Sequence, residues 1–499
     1  MKGASYKTIL RSSSIMGGAS LLNILFGLIK IKFVAVFLGP AGVGLIGLYQ
    51  SLVQTGSQFA SLGSATVGTQ QIAAAANDGD AAVDTVRRAL FWGTIALSVM
   101  GALIFLAFSG TIASYVLKVP EQRSDVAWLS LGVALTVAAG AQTALLTGLR
   151  RVKDLALLQV GAGFSACVFG MAAVWLWGSA GILVFVLAMP IVTFAIGLFF
   201  ASRVGRPRGA RSSFIGITRK WSQFARLGVA FMLSGVVTIL GRLAVQTLVQ
   251  RDLGPEALGQ FQASWSIGMT YLGFVLGAMT TDYFPRLSGA IGDHPKATRL
   301  VNEQTEVALI LSGPVLVAML ALAPIVVRLL YTPEFSPTVD ILRWQLLGDI
   351  LKIISWPIGF VLLASGSGRL FIFSEAIGVG VFVIFTALLI PVVGVSGAGI
   401  GFLFLYIFYL PTVWIFARLL IGFRWSSAVK RLTVVVIVAA GVTDILARFN
   451  DFWGGLVGVT LAIFLAISGF IHLSRKTEYD GGIGRRIQRL RFFFKSSER

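Results

Sequence analysis

The sequence predicts an all-α, polytopic membrane protein with about 14 transmembrane helices. Three observations support this class: composition, long apolar segments and alternating basic loops. Of the 499 residues, 56% are apolar and 12% are charged, and the mean hydropathy is +0.85. Soluble domains carry about 25% charged residues. The composition therefore excludes a water-soluble enzyme and indicates a chain whose main solvent is lipid.

Fourteen segments are long and apolar enough to cross a bilayer, which takes about 20 residues. They cover residues 15–38, 43–67, 89–112, 126–148, 155–177, 181–201, 227–249, 257–281, 304–330, 339–364, 370–392, 395–417, 431–447 and 453–473. No interval between them is long enough for an inserted soluble domain. The first run has 24 residues, which exceeds the apolar core of a signal peptide, so we expect a retained helix.

The basic residues alternate between the two sides of the predicted membrane. The chain has 41 Lys and Arg against 21 Asp and Glu, a net charge of +20. If the N-terminus is cytoplasmic, 31 of the basic residues fall on the cytoplasmic side and 5 on the other. This bias predicts that both termini are cytoplasmic, and it explains the charge without a nucleic-acid partner. A lone cysteine, Cys167, excludes an intrachain disulfide.

Three short motifs of the first half recur, in order and at a nearly constant offset, in the second half. The pairs are Leu38–Gly44 with Leu253–Gly259, Leu117–Glu121 with Leu330–Glu334, and Leu145–Arg151 with Leu363–Arg369. Six spans separate the copies, and an even number gives both copies the same orientation. The sequence therefore predicts two parallel-repeat six-helix bundles, related by an axis along the membrane normal.

This repeat predicts five regions. They are an N-terminal six-helix bundle (1–201), a basic cytoplasmic linker (202–226), a C-terminal six-helix bundle (227–420), an extra transmembrane hairpin (421–474) and a basic cytoplasmic tail (475–499).

The Leu-Gly-Pro turn after the first helix of each bundle carries a family resemblance. The stretch Phe37–Gln50, continued by Thr69, Gln70 and Gln71, resembles the O-antigen translocases, the Wzx-type flippases of the multidrug/oligosaccharidyl-lipid/polysaccharide (MOP) exporter superfamily. The pattern of helices is similar over nearly the whole chain, but the specific motif is short. That branch commonly has 12 spans, so the added hairpin departs from it and is similar to the 14-span lipid II flippase branch.

The resemblance implies a function and a location. Such proteins move undecaprenyl-pyrophosphate-linked oligosaccharide, an O-antigen or exopolysaccharide repeat unit, from the inner to the outer leaflet of the bacterial inner membrane by alternating access. Expected partners are the lipid-linked oligosaccharide, membrane lipids, and the polysaccharide polymerase with its chain-length machinery. No catalytic motif accompanies the resemblance and no cofactor is expected. The chain also lacks the GxxxxGK[ST] motif of direct ATP use.

Charged residues inside the spans are the first candidates for substrate contacts, because each costs about 2.5–3.5 kcal/mol to insert. Lys30 in the first span and Arg242 in the seventh lie at similar depth, about 12 Å from the outer end. At the repeat offset, Arg242 maps to Gly27, one turn from Lys30. We expect both cations to face a lumen and bind pyrophosphate, unless they snorkel to the headgroups. Lys32 points to the other side of its helix, and we expect it to snorkel.

The tenth span carries a second polar group. Gln345, Asp349 and Lys352 share one helix face. Either Asp349 and Lys352 form an ion pair that lowers their insertion cost, or this face lines a cavity, with Lys352 as a third cation for the headgroup and Asp349 available for proton coupling. Pro357 follows on the same helix and is a candidate hinge.

The second span carries an amide stripe of Gln50, Gln54 and Gln58. An amide stripe that faces lipid is costly, so we expect it to face sugar in a cavity or to form hydrogen bonds between helices. The two histidines, His294 and His472, lie near span ends without metal-ligand spacing, so no metal site is expected.

Several alternatives remain open. A lipid II flippase has the same architecture. A multidrug/cation antiporter of this superfamily needs a buried carboxylate in the first bundle, and spans 1 to 6 have no Asp or Glu in mid-span. A polymerase or glycosyltransferase needs catalytic groups on sizeable outer loops, which are short here. A purely structural membrane protein would not need cations in mid-span.

Overall fold

The computed structural model describes residues 2–204 and 235–477, and it describes side chains within 15–204 and 235–474 except at positions 271, 274, 275, 278, 280 and 281. Most of the predicted linker (202–226) and of the predicted tail (475–499) lies outside the described residues. Within the described ranges, every regular element is helical. The predicted all-α polytopic class is therefore confirmed.

Six helices form the first half of the described chain. They are α1 (Lys2–Ser61), α2 (Ser64–Ala75), α3 (Asp80–Ala107), α4 (Arg123–Gly148), α5 (Val152–Trp177) and α6 (Ile182–Ser202). Short helical turns, the last of them Pro120–Gln122, connect α3 to α4. The predicted second span (43–67) extends past the observed break, since α1 ends at Ser61.

Eight helices follow in the second half of the described chain. They are α7 (235–253), α8 (Pro255–Ala290), α9 (His294–Leu330), α10 (Thr338–Ala364), α11 (Gly368–Val393), α12 (Ser396–Ile421), α13 (Ser427–Phe449) and α14 (Asp451–Thr477).

The repeated Leu-Gly-Pro motif has the same structure in both copies. Gly39 has φ +62° and breaks α1 into two segments, and Gly254 has φ +90° between α7 and α8. Glycine adopts this left-handed region without steric cost. The proline that follows, Pro40 or Pro255, begins the next helix, where a missing N–H removes no hydrogen bond. The motif therefore encodes a sharp helix–turn–helix at the same place in each half.

Ten described helical stretches are long and apolar enough to cross a membrane. Two of them, Ile15–Ser61 with 47 residues and Val152–Ser202 with 51, are long enough for two crossings each. Gly39 divides the first, and the turn Gly178–Gly181 divides the second. The helices α7 and α8 coincide with the seventh and eighth predicted spans, so a helix lies at the position of each predicted span within the described residues.

The chain divides into two compact units. The first consists of Met1–Ala263, Arg328–Thr338 and Phe382–Ala398, and the second of Ser264–Val327, Val339–Val381 and Gly399–Arg499. In the second unit, a core forms around Ile358 and Val361 of α10 and Val413 and Ala417 of α12, all fully buried. The boundaries at 201 and 227 between predicted bundles stay a prediction.

The added hairpin of α13 and α14 packs on α9 within the second unit. Small residues allow the close approach: a Cβ at Gly458 would lie 2.6 Å from the Cβ of Ala321, and a Cβ at Gly469 would lie 2.7 Å from the Ile310 side chain. In the first half of α9, the carboxylate of Glu306 lies 2.7 Å from the His472 ring nitrogen of α14. The hairpin is thus an integral part of the second unit.

Candidate functional site

Lys30 points into the helices of the first unit. Its ammonium lies 6.0 Å from the centroid of the Phe185 ring of α6. It is also in electrostatic range of the Cys167 thiol of α5, which is the one titratable group acting on it among the described residues. The side chain is half-buried. Lys30 is therefore a cation held between α1, α5 and α6 and not a residue directed only toward lipid.

Lys32 has a different role from its neighbour. Its ammonium donates to the backbone carbonyls of Tyr331, at 2.5 Å, and Arg328, at 3.5 Å. These carbonyls lie at the C-terminal end of α9, where a cation satisfies unpaired acceptors and opposes the helix dipole. We expected Lys32 to reach the lipid headgroups, but it caps a helix end instead. The sequence could not show this contact, because the two partners lie about 300 residues apart.

Arg242 belongs to a polar seam between α7 and α8. Its Nη2 donates to Oε1 of Gln262 at 3.4 Å, and Nε2 of Gln246 donates to the same oxygen at 2.8 Å. Both glutamines are buried. Gly47 of α1 meets this seam, since a Cβ there would lie 2.4 Å from the Gln262 side chain. Sequence analysis did not identify Gln246 and Gln262, although Gln246 lies one helical turn from Arg242.

The amide stripe of α1 extends along the face that carries Gly47. Gln50 and Gln54 are exposed, and Gln58 is half-buried. A Cβ at Gly235 would lie 3.0 Å from Nε2 of Gln58, so this amide reaches the beginning of the described part of α7. Among the described residues, no hydrogen bond joins the side chain of Gln50 or Gln54 to another helix. Their exposed amides are therefore available to a ligand.

The second unit holds the polar face of α10. Gln345 and Asp349 are 2% and 1% exposed. The ammonium of Lys352 lies 3.9 Å from the Met269 sulfur and 5.8 Å from the Phe402 ring centroid. As the spacing predicted, these three residues of α10 share one face and enter the interior of their unit.

Two carboxylates act on Lys352. Asp349 and Glu375 are both in electrostatic range of its ammonium, although neither forms an ion pair with it within 4.0 Å among the described residues. The hydroxyl of Tyr409 donates to Oε1 of Glu375 at 2.7 Å. Lys352 therefore lies in electrostatic range of two carboxylates, and Glu375 and Tyr409 are members of the cluster that the helical spacing alone did not reveal.

Pro357 lies within α10, which continues from Thr338 to Ala364. Its carbonyl accepts a hydrogen bond of 2.8 Å from the buried hydroxyl of Tyr283. The bond ties this part of α10 to α8. A hinge at Pro357 stays a prediction.

Arg343 of α10 is buried, with 4% exposure. Its Nη2 donates to Oδ1 of Asp451 at 2.8 Å. Asp451 begins α14, so the added hairpin supplies the carboxylate that compensates the charge of the buried Arg343 guanidinium. In the part of the chain that the structure describes, no cluster of His, Cys, Asp and Glu could hold a metal ion.

The fold is that of the MOP superfamily. A multidrug resistance MATE family transporter of this superfamily, in an inward-facing conformation, matches with a TM-score of 0.70 at 16% identity, over 82% of this chain and 96% of its own. The lipid II flippase MurJ, in an inward closed conformation, matches with a TM-score of 0.68 at 11% identity, over 94% of this chain and 99% of its own. This fold is shared with polytopic membrane transporters and flippases, and in this chain it holds cations among apolar helices.

The chain belongs to the family of polysaccharide biosynthesis proteins, whose pattern it matches over residues 33–340. The lipid III flippases of Escherichia coli (strain K12) and Shigella flexneri are each 23% identical to it over 411 residues, which is 81% of this chain and 96% of theirs. The resemblance to polysaccharide translocases of this superfamily is thus confirmed at the level of family and fold.

Proposed function

We propose that the protein moves a lipid-pyrophosphate-linked oligosaccharide, an O-antigen or exopolysaccharide repeat unit, from the inner to the outer leaflet of the bacterial inner membrane. Family membership and the similarity to lipid III flippases support an oligosaccharide linked to a lipid. The placement of Lys30 between α1, α5 and α6 is the observation that carries the proposal, because it holds a cation inside apolar helices where an anionic headgroup could pass.

Lys30 and Arg242 would replace part of the water that a pyrophosphate loses on entering the membrane. Arg242 suits this role because its planar guanidinium can donate two parallel hydrogen bonds to phosphate oxygens. The exposed amides of Gln50 and Gln54 extend the same polar region and could contact sugar hydroxyls. A lipid tail needs no such groups, and it can remain in the surrounding bilayer.

Lys352 is less suited to bind an anion, because two carboxylates already act on its charge. We therefore assign Asp349, Lys352 and Glu375 to ion or proton coupling. The membrane potential could also drive transport. A dianion that moves outward through a full inside-negative field of 100 mV gains roughly 4.6 kcal/mol.

A lipid II flippase is equally consistent with the fold, which MurJ shares. The match to the family of polysaccharide biosynthesis proteins favours a repeat unit of a surface polysaccharide. The proposal includes cytoplasmic termini and a polymerase with its chain-length machinery as partners on the outer side. A multidrug antiporter is disfavoured because the first six spans have no acidic residue in mid-span.

Deletion of the gene in its own bacterium tests the substrate. The proposal expects a lipid-linked repeat unit of a surface polysaccharide to accumulate in the inner leaflet, measured by mass spectrometry of extracted lipids after a membrane-impermeant enzyme has removed the outer-leaflet pool. Accumulation of lipid II would assign the peptidoglycan precursor instead. Normal levels of every lipid-linked glycan would contradict flippase activity on such lipids.

A further inference from the structure

A cavity lies in the first unit between α2, α4 and α6. Its volume is about 420 Å³, and its lining consists of five threonines, four alanines or glycines, one methionine and one proline. The threonines are Thr66, Thr69, Thr136, Thr143 and Thr193. None of the described residues that line it carries a charge. Thr66 and Met189 are exposed, so the cavity is accessible from outside the unit.

The polar atoms that line this cavity are mainly hydrogen-bond acceptors. The hydroxyls of Thr69, Thr136 and Thr143 each donate to the backbone carbonyl four residues earlier in their own helix, at 2.9, 2.7 and 3.0 Å. Each oxygen therefore retains lone pairs but has no proton to offer. Pro190 has no N–H, so it also removes the donor that the carbonyl of Val186 would have used in α6.

These properties select the chemistry of a ligand. It should donate hydrogen bonds, because three of the five threonine hydroxyls already donate within their own helices and can only accept. It should be uncharged, since among the described residues no charged side chain lines the cavity to stabilise an anion. It must also have apolar faces to pack against threonine methyl groups, alanines and Met189. A sugar ring, with hydroxyl donors on its rim and C–H groups on its faces, has all three properties.

One helix, α6, carries both the ring that Lys30 contacts and part of the cavity lining. Phe185, beneath the Lys30 ammonium, precedes Pro190 and Thr193 on α6 by five and eight residues. At 1.5 Å per residue, this separation is about 8–12 Å along the helix. A headgroup with its pyrophosphate near Lys30 could therefore place its neighbouring sugar in the cavity. The volume falls in the range of about 300–1,000 Å³ of small-molecule pockets and has room for about one or two sugar rings.

We propose that this threonine-lined cavity is a subsite for an uncharged sugar of the lipid-linked glycan, next to a pyrophosphate position at Lys30. The assignment rests on the proposed function and extends it to a specificity: a neutral sugar, and not a uronic acid, occupies the position next to the pyrophosphate.

Binding to the purified full-length protein in nanodiscs tests the subsite. The probes are farnesyl pyrophosphate alone and farnesyl pyrophosphate joined to glucose, N-acetylglucosamine or glucuronic acid. We expect at least one neutral sugar to increase affinity by about tenfold over the sugar-free probe, and glucuronic acid to add nothing. Thr136→Val and Thr143→Val keep side-chain volume but remove the acceptor, and each should reduce that gain by about two- to tenfold.

Thr85→Val is the matched control. Thr85 donates to the carbonyl four residues earlier in α3 in the same way, at 3.0 Å, but it is outside the cavity. The Thr85→Val variant should bind all probes with wild-type affinity. The thermal unfolding temperature of each variant shows whether that variant is folded. Thr193→Val provides an independent test if one of the other variants fails to fold.

Three results would overturn the subsite. In the first, no neutral sugar adds affinity for the wild type. In the second, the glucuronic acid probe gains as much affinity as the neutral probes. In the third, the Thr→Val variants weaken the binding of all probes equally, as expected if an acyl chain occupies the cavity. Failure of the proposed function is a separate result: farnesyl pyrophosphate alone would then bind with the same affinity to wild type and Lys30→Gln.

Discussion

Gly44 and Gly259, which occupy equivalent positions in the two copies of the repeat, pack directly against each other. A Cβ at Gly44 would lie 2.7 Å from the backbone nitrogen of Gly259 and 2.7 Å from the carbonyl oxygen of Pro255. In return, a Cβ at Gly259 would lie 1.8 Å from the carbonyl oxygen of Pro40. The contact is reciprocal, as expected of two equivalent segments related by a local two-fold axis. The repeated motif thus makes a helix turn and also its own contact surface.

Gly259→Ala should separate these two turns. Its added methyl group meets backbone, which cannot rotate away, and such overpacking costs about 1–3 kcal/mol. We expect a lower thermal unfolding temperature in detergent and a transport rate reduced by about tenfold or more. Gly277→Ala is the control in the same helix, because no described atom lies within 4 Å of a Cβ added there. Equal stability and transport in the two variants would contradict the assigned contact.

Lysines stabilise helix ends beside both turns. Lys32 donates to the end of α9, and Lys118 donates to the carbonyl of Arg251, at the end of α7, at 2.6 Å. A cation at a helix C-terminus contributes about 0.3–1 kcal/mol. Lys32→Met should therefore lower the unfolding temperature by about 1–3 °C. Lys153→Met, which removes an exposed lysine of the first unit, should leave that temperature unchanged, and an equal drop in both variants would refute the capping role.

Arg343 depends on the added hairpin for its partner. Its side chain is 5% exposed and that of Asp451 is 65% exposed. Asp451→Asn removes the countercharge and should destabilise the protein by about 1–3 kcal/mol, since a buried guanidinium loses its charged acceptor. The double variant Arg343→Met/Asp451→Asn should recover part of this loss, because no buried charge then remains. Thermal unfolding of the wild type, Asp451→Asn, Arg343→Met and the double variant measures the coupling, and strictly additive effects would show that the pair does not interact.

If the cluster around Lys352 couples transport to an ion gradient, changing it should affect this coupling more than the movement of the substrate itself. Asp349→Asn and Lys352→Gln should abolish the response of transport to an imposed proton or sodium gradient in proteoliposomes. Transport driven by the membrane potential alone should fall by less than about threefold. Gln304→Leu, a substitution on α9 outside this cluster, is the control. If both variants keep a wild-type response to every gradient, the coupling role is wrong.

Hydropathy predicted the helices well because a transmembrane span must satisfy its own backbone and present about 20 apolar residues. The turn at the Leu-Gly-Pro repeat could also be predicted from sequence. Glycine favours a left-handed backbone and proline favours the first position of a helix, so the pair indicates a turn between two helices. The break after Ser61 was missed, since the residues on both sides of it are equally apolar.

Side-chain partners could not be predicted in the same way. Lys32 and Arg343 bind groups that lie far away in the sequence, at Tyr331 and Asp451. A helical periodicity gives the face of a residue but not the neighbouring helix that covers it. The threonine cavity was missed for a related reason: threonines that cap their own backbone carbonyls resemble ordinary membrane-helix residues until three helices bring them together.

The role of Lys30 and Arg242 in carrying the anionic headgroup can be measured as transport in proteoliposomes. The variant to compare with the wild type is Lys30→Ala/Arg242→Ala. The measured quantity is the initial rate at which a fluorescent lipid-pyrophosphate oligosaccharide becomes accessible to an outside enzyme, with Lys153→Ala as the control for loss of a surface cation. We expect a rate at least about a hundredfold below that of the wild type, while Lys153→Ala transports normally. A double variant that is folded and transports at the wild-type rate would contradict the claim that these two cations carry the anionic headgroup.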